Sequence, residues 1–196
     1  MSSAPIALRR PVLADRFISR SLASDVALVI GGTALTAVLA QVAVPLWPVP
    51  ITGQTLAVLL VGGALGSVRG TLSMVLYALV GVLGLPVFSD GTAGAGVLGG
   101  PTGGYIVGFV LAAALTGALA ERKWDRKFAG GMVSYLVGSA AVFAVGLPWL
   151  AASLGLGFQE TLAGGLYPFL IGGVIKAAIA AGVIRLGWFA ADRRSR

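Results

Sequence analysis

PFLIGGVIKAAIAAGVI (168–184) carries a single charge, Lys176. Fifteen uncharged residues separate that lysine from Glu160, and eight separate it from Arg185. An apolar run of this length reads as a membrane-spanning helix, because a bilayer core of ~30 Å takes about 20 apolar residues per helix. Four more uncharged runs precede it, at 26–68, 70–89, 91–120 and 128–159. The 196 residues are 57% hydrophobic and 11% charged, and the mean hydropathy is +0.95. A soluble domain carries roughly a quarter charged residues, so this chain has too few to cover a water-facing surface. The long runs suit helices. A transmembrane barrel would instead show short alternating segments.

Pro, Gly and charge clusters divide the runs into six predicted spans: 25–44, 53–67, 70–85, 104–121, 129–150 and 166–189. The expected fold is therefore an all-α six-helix membrane bundle. A basic, largely exposed lead-in (1–24) precedes a single membrane domain (25–190), and a basic tail (191–196) follows it. The apolar run after the lead-in is too long for the core of a cleaved signal peptide. Basic residues cluster at 9–20, at Arg69, at 122–127 and at 185–196. In a six-span arrangement all four clusters fall on one face. By the positive-inside rule that face is cytoplasmic and holds both termini. The net charge of +7 is thus explained by anionic headgroups of the bilayer, without nucleic acid.

Several chemistries are absent from the sequence. There is no Cys and no His, which removes disulfides, thiolate nucleophiles, imidazole bases and Cys/His metal sites. No catalytic group, metal site or cofactor is expected, and no GxxxxGK[ST] nucleotide motif occurs. Ser73, Ser134 and Ser139 lie inside spans, but nothing marks one as a nucleophile beside Lys176. Small residues recur every fourth position in three sets: Gly32, Thr36 and Ala40; Gly62, Gly66 and Gly70; and Gly104, Gly108, Ala112, Thr116 and Ala120. Such stripes allow close helix packing in lipid. They serve either the bundle itself or a second membrane subunit.

Lys176 lies about eight residues, ~12 Å, below the outer end of its span. A charge at a helix centre costs at least ~2.5 kcal/mol. Three readings stand. The amine snorkels to the interface, or it pairs with Asp90 or Glu160, or it lines an outward-facing pocket and meets an anion. In the third reading the ligand carries a negative group, such as a carboxylate, on an apolar body. The helix N-terminus would favour that charge. The residues alone thus describe an outward-opening bundle suited to a small organic anion.

Three motifs go further: PVPITGQT (48–55), GLPVF with GPTGGY (84–88 and 100–105), and PFLIGGVIKAA (168–178). Together, in order and spacing over 25–185, they resemble the BioY-type biotin-specific substrate-binding subunit of energy-coupling factor transporters. The resemblance implies a multi-pass plasma-membrane protein that captures biotin from outside. It would deliver biotin with an energy-coupling transmembrane subunit and two ATPase subunits. Lys176 matches the family's ligand lysine. Tyr105, Gln54 and Asp90 are further candidate contacts. Two positions depart from the family pattern: Gly173 stands where an Asp is common, and Thr92 where an Asn is common. The alternative is a stand-alone secondary carrier for biotin or a related small organic carboxylate. Such carriers often show inverted repeats, and no clear internal repeat is present.

Overall fold

A computed structural model describes residues 11–194. The predicted basic segments at 1–10 and 195–196, with Arg9, Arg10 and Arg196, lie outside the described residues. Helix α1 (Leu22–Ala40) leads through a two-stranded hairpin, β1 (Ala43–Val44) and β2 (Ile51–Thr52), into α2 (Gln54–Val82). A short helix α3 (Ala95–Gly99) precedes α4 (Gly103–Glu121) and α5 (Phe128–Leu154). A surface helix α6 (Phe158–Gly165) then leads into α7 (Tyr167–Arg194). Five of these helices, α1, α2, α4, α5 and α7, are long and apolar enough to cross a membrane.

Two of the predicted spans, 53–67 and 70–85, fall within α2. Its backbone breaks at Gly66, with φ 85° and ψ 178°. A residue with a Cβ rarely adopts such a φ. The two arms fold back on each other. A Cβ on Gly70 would lie 3.1 Å from the Cα of Gly62, whereas residues eight apart in a straight helix are ~12 Å apart. Gly62, Gly66 and Gly70 therefore do not form one helical face, as their spacing suggested. They make the inside of a bend. The free N-terminus of the second arm is capped from α4, where Glu121 Oε1 accepts from the Ser67 N–H (2.8 Å) and the Ser67 hydroxyl (2.7 Å). A carboxylate there satisfies orphan donors and complements the helix dipole.

The other small-residue stripes pack the bundle. Gly104 and Gly108 admit Trp149 and the Val142 backbone of α5, and Thr116 sits against Gly62. Gly32, Thr36 and Ala40 are buried, and Gly32 faces Val61 and Ser73 of α2. The opposite face of α1, with Leu22, Val26, Ile30 and Val38, is exposed, as suits contact with lipid.

Most of the charged residues gather at one end, with Asp90, Glu160 and Lys176 at the other. Arg69 bridges Asp15 (2.8 Å) and Asp25 (2.6 Å), and Asp15 also holds Arg20 (2.6 Å). Within the segment expected to be an exposed lead-in, Val12 and Leu13 are buried. Leu13 packs at Gly187 of α7, and Val12 packs at Gly66. Nearby, the Trp188 indole donates to Asp125 (2.7 Å), and the Arg126 guanidinium stacks 3.2 Å from the Trp188 ring centroid.

Burial pushes the Asp15 carboxyl up. Hydrogen bonds from Arg20, the Val12 N–H and Arg69, together with the Arg69 charge, outweigh it and hold the group at about 2. A depressed carboxylate stabilises the fold above its unfolded pKa of about 4, and that stabilisation fades as pH falls toward the folded value. Asp15→Asn should therefore cost on the order of 2 kcal/mol at neutral pH. In thermal unfolding of the detergent-solubilised protein, the gap to wild type should narrow below about pH 4. A gap that stays constant down to the folded pKa would contradict the assignment.

Candidate functional site

A cavity lies at the end of the bundle opposite the ion pairs. Its rim is the hairpin, with Val49, Pro50 and Thr52, and the loop residues Phe88 and Ser89. Its walls are the outer turns of α2, α4, α5 and α7. The enclosed space is larger than a single water needs.

One wall is aromatic. Tyr105, Phe143 and Phe169 line the cavity with ring centroids 6.1–6.4 Å apart. This spacing lies in the range of favourable ring pairs. Phe109 and Ile106 extend the apolar surface. Tyr105 is fixed rather than free, since its hydroxyl donates to the Gly165 carbonyl (2.9 Å) and thereby ties α4 to the end of α6.

The polar residues form a relay at the rim. The Thr52 hydroxyl donates to Gln54 Oε1 (2.7 Å), Gln54 Nε2 donates to the Tyr77 hydroxyl (2.6 Å), and Tyr77 donates to the Val87 carbonyl (2.9 Å). The relay joins the hairpin, both arms of α2 and the loop that carries Phe88. Phe88 is buried and meets the Tyr77 ring edge-on at 5.5 Å. Gln41 secures the other side of that loop, donating to the Phe88 carbonyl and accepting from the Gly91 N–H, both at 3.0 Å.

Lys176 is half-buried and lines the cavity. Its Nζ donates to the Thr52 carbonyl (2.6 Å). No ion pair among the described residues includes it. Glu160 instead caps its own helix at the Gly157 N–H, and Asp90 is exposed in the loop. Neither acid neutralises the lysine. An ammonium has three donors, so two remain for a ligand. Gly173, one turn toward the outer end, also lines the cavity, and a Cβ there would meet open space. A side chain at 173 has room beside Lys176.

Of the sequence candidates, Lys176, Gly173, Tyr105 and Gln54 converge on this cavity. Asp90 and Thr92 do not. They line a shallower depression just outside it, which shares Pro50, Ser89, Val97 and Thr102 with the cavity. Thr92 is turned to its own loop, where its hydroxyl donates to the Ser89 carbonyl (2.8 Å). Sequence reasoning missed Phe109, Phe143, Phe169 and Ser139 as lining groups. Ser139 Oγ has no hydrogen-bond partner, so no Ser–Lys dyad forms.

Comparisons with known proteins agree on one family. A family model described as the BioY family matches residues 10–193. A probable biotin transporter BioY of Pyrococcus horikoshii is 37% identical over 161 residues, covering 81% of this chain and 92% of the relative. The biotin transporter BioY of Thermotoga maritima is 40% identical over 149 residues, covering 76% of this chain and 86% of its own length. Among solved structures, the S-component for biotin from an ECF-type ABC transporter superposes with a TM-score of 0.75 at 28% identity. It covers 85% of this chain and 93% of that one.

The relay predicts a measurable cost. Tyr77→Phe leaves the Gln54 amide and the Val87 carbonyl short of a partner in a buried site. The expected loss is about 1–3 kcal/mol of stability, read as a lower melting temperature in detergent. An unchanged melting temperature would remove the relay as a support of the rim.

Proposed function

The chain belongs to the BioY family, and from that premise we propose that it captures biotin at the outer face of the membrane, with the biotin carboxylate against Lys176. It is a multi-pass protein of the cell membrane and a transport subunit rather than an enzyme. The observation that carries the proposal is the cavity itself. It is apolar and aromatic on its walls and holds one cation, Lys176, which is the only charged residue among those lining it. Biotin has a complementary make-up: one carboxylate, an aliphatic tail and an uncharged ureido ring. Lysine side chains lean toward the helix N-terminus, which in α7 is the mouth of the cavity. The hydrogen bond to Thr52 of the rim fits that lean. The charge is thus placed where the ligand's carboxylate keeps some access to water.

The fold-back at Gly66 supports six crossings, with each arm of α2 crossing separately. The arms are only ~18 and ~24 Å long at 1.5 Å per residue. An even number of crossings returns both termini to one side. Arg69, 122–127 and 185–194 share that side, which makes it cytoplasmic by the positive-inside rule. The membrane unit is then 25–190, flanked by the basic segments 1–24 and 191–196. Likeness to an S-component of an ECF-type ABC transporter supports a coupling transmembrane subunit and two ATPase subunits as partners. Gln54, Tyr105 and Gly173 are proposed as ligand neighbours. Asp90 and Thr92 are proposed as part of the entrance.

Equilibrium binding of labelled biotin to the purified chain in detergent tests the reading. Wild type should bind, and Lys176→Ala should bind at least tenfold more weakly, about 1.4 kcal/mol. Equal affinity in a folded Lys176→Ala protein would take the lysine out of the site.

A further inference from the structure

Hydroxyls inside the spans of this protein satisfy themselves in a regular way. Thr36 donates to the Gly32 carbonyl, Ser73 to the Arg69 carbonyl and Thr116 to the Ala112 carbonyl, each one turn back along its own helix at 2.8–2.9 Å. Ser139 does not. It sits near the middle of α5, is 6% exposed, and its Oγ has no partner. Ser134 and Tyr135 in the same helix are also unpartnered, but neither lines the cavity. Ser139 does, and this distinguishes it. Leaving a buried hydroxyl without a partner is costly, so one lining a ligand cavity is a candidate reader of the ligand.

Its depth follows from chain direction. Gly165, the last residue of α6 and two before α7 begins, packs against Leu147 and Leu150 of α5, so the start of α7 is level with that part of α5. From that level Ser139 lies about eight to eleven residues down, ~12–16 Å. Helix α5 runs antiparallel to α7, so the Ser139 side chain leans away from the mouth, whereas Lys176 leans toward it. Lys176 starts from the same level, eleven residues below Gly165, but its ammonium is drawn up to the Thr52 carbonyl of the rim, so the neutral hydroxyl lies deeper in the cavity than the charge. A serine hydroxyl both donates and accepts but carries no charge. It suits an uncharged polar group and gives nothing to balance a carboxylate at that depth.

We propose that Ser139 is a specificity-determining contact that hydrogen-bonds the uncharged ureido end of the ligand at the cavity floor. This rests on the assignment of biotin above. It fixes the orientation of the bound molecule, with ring inward and carboxylate outward.

The test uses the full chain in detergent as wild type and Ser139→Ala. Two ligands are titrated, biotin and 2-thiobiotin, whose ureido oxygen is replaced by sulfur, a poorer acceptor. Melting temperatures are measured without ligand. Ser139→Ala should weaken biotin at least tenfold and shrink the preference of wild type for biotin over the thio analogue. The ligand-free melting temperature should stay level or rise, because no internal hydrogen bond is lost. Unchanged biotin affinity in the variant would overturn the proposal and leave the biotin assignment intact. A lower melting temperature, or failure to fold, would give Ser139 a structural role instead. If wild type itself does not bind biotin, the ligand assignment and this proposal fall together.

Discussion

The hydrogen bond from Lys176 Nζ to the Thr52 carbonyl ties the last helix to a hairpin 124 residues earlier in the chain. It also decides where the cation among the cavity-lining residues stands. A lysine within a span is costly unless its ammonium finds oxygen or water. The rim supplies a backbone carbonyl, and the spare donors remain available at the mouth. The rim must therefore be held firmly. The relay from Thr52 through Gln54 and Tyr77 to Val87 does this on one side, and Gln41 does it on the other. The Gln54–Tyr77, Gln41–Phe88 and Lys176–Thr52 links join residues 23, 47 and 124 apart, so the site exists only once these elements have packed together.

The opposite end obeys a different constraint. There the two arms of α2 must reverse at Gly66 within a crowded space, and the reversal exposes helix-terminal N–H groups. Glu121 satisfies Ser67, and Arg69 is held between Asp15 and Asp25. The segment before α1 is thereby drawn onto the bundle. Polar chemistry is thus divided between the two ends. Ion pairs brace the end rich in charge, and hydrogen bonds with Lys176, which no ion pair among the described residues includes, shape the end proposed to receive ligand.

The bundle was legible in the sequence because charge is so scarce. Where an apolar run ends at a charged cluster, as at Glu121, the helix end could be placed closely, whereas α7 runs on through Arg185 to Arg194. The hairpin and the surface helix α6 were read only as loops, since their few residues carry no periodicity strong enough to mark them. Lys176 was legible because a lone charge in an apolar run is conspicuous, and Gln54, Tyr105 and Gly173 were legible through motif resemblance. Phe109, Phe143, Phe169 and Ser139 were not. In a membrane helix the residues facing lipid and those facing a cavity are alike apolar, so no amphipathic pattern separates them. Thr92 was singled out through the family resemblance and Asp90 as an acid on the same side as Lys176. A turn with Asp90 at φ 56° carries them outside the cavity.

The central claim is that a carboxylate meets Lys176 at the mouth of a cavity whose other lining residues are uncharged. Competition between biotin and biotin methyl ester for the purified protein, run in parallel on wild type and Lys176→Ala, tests it most directly. The account predicts that esterification weakens binding to wild type at least tenfold, about 1.4 kcal/mol, and makes little difference to the variant. Equal binding of acid and ester by wild type would contradict it.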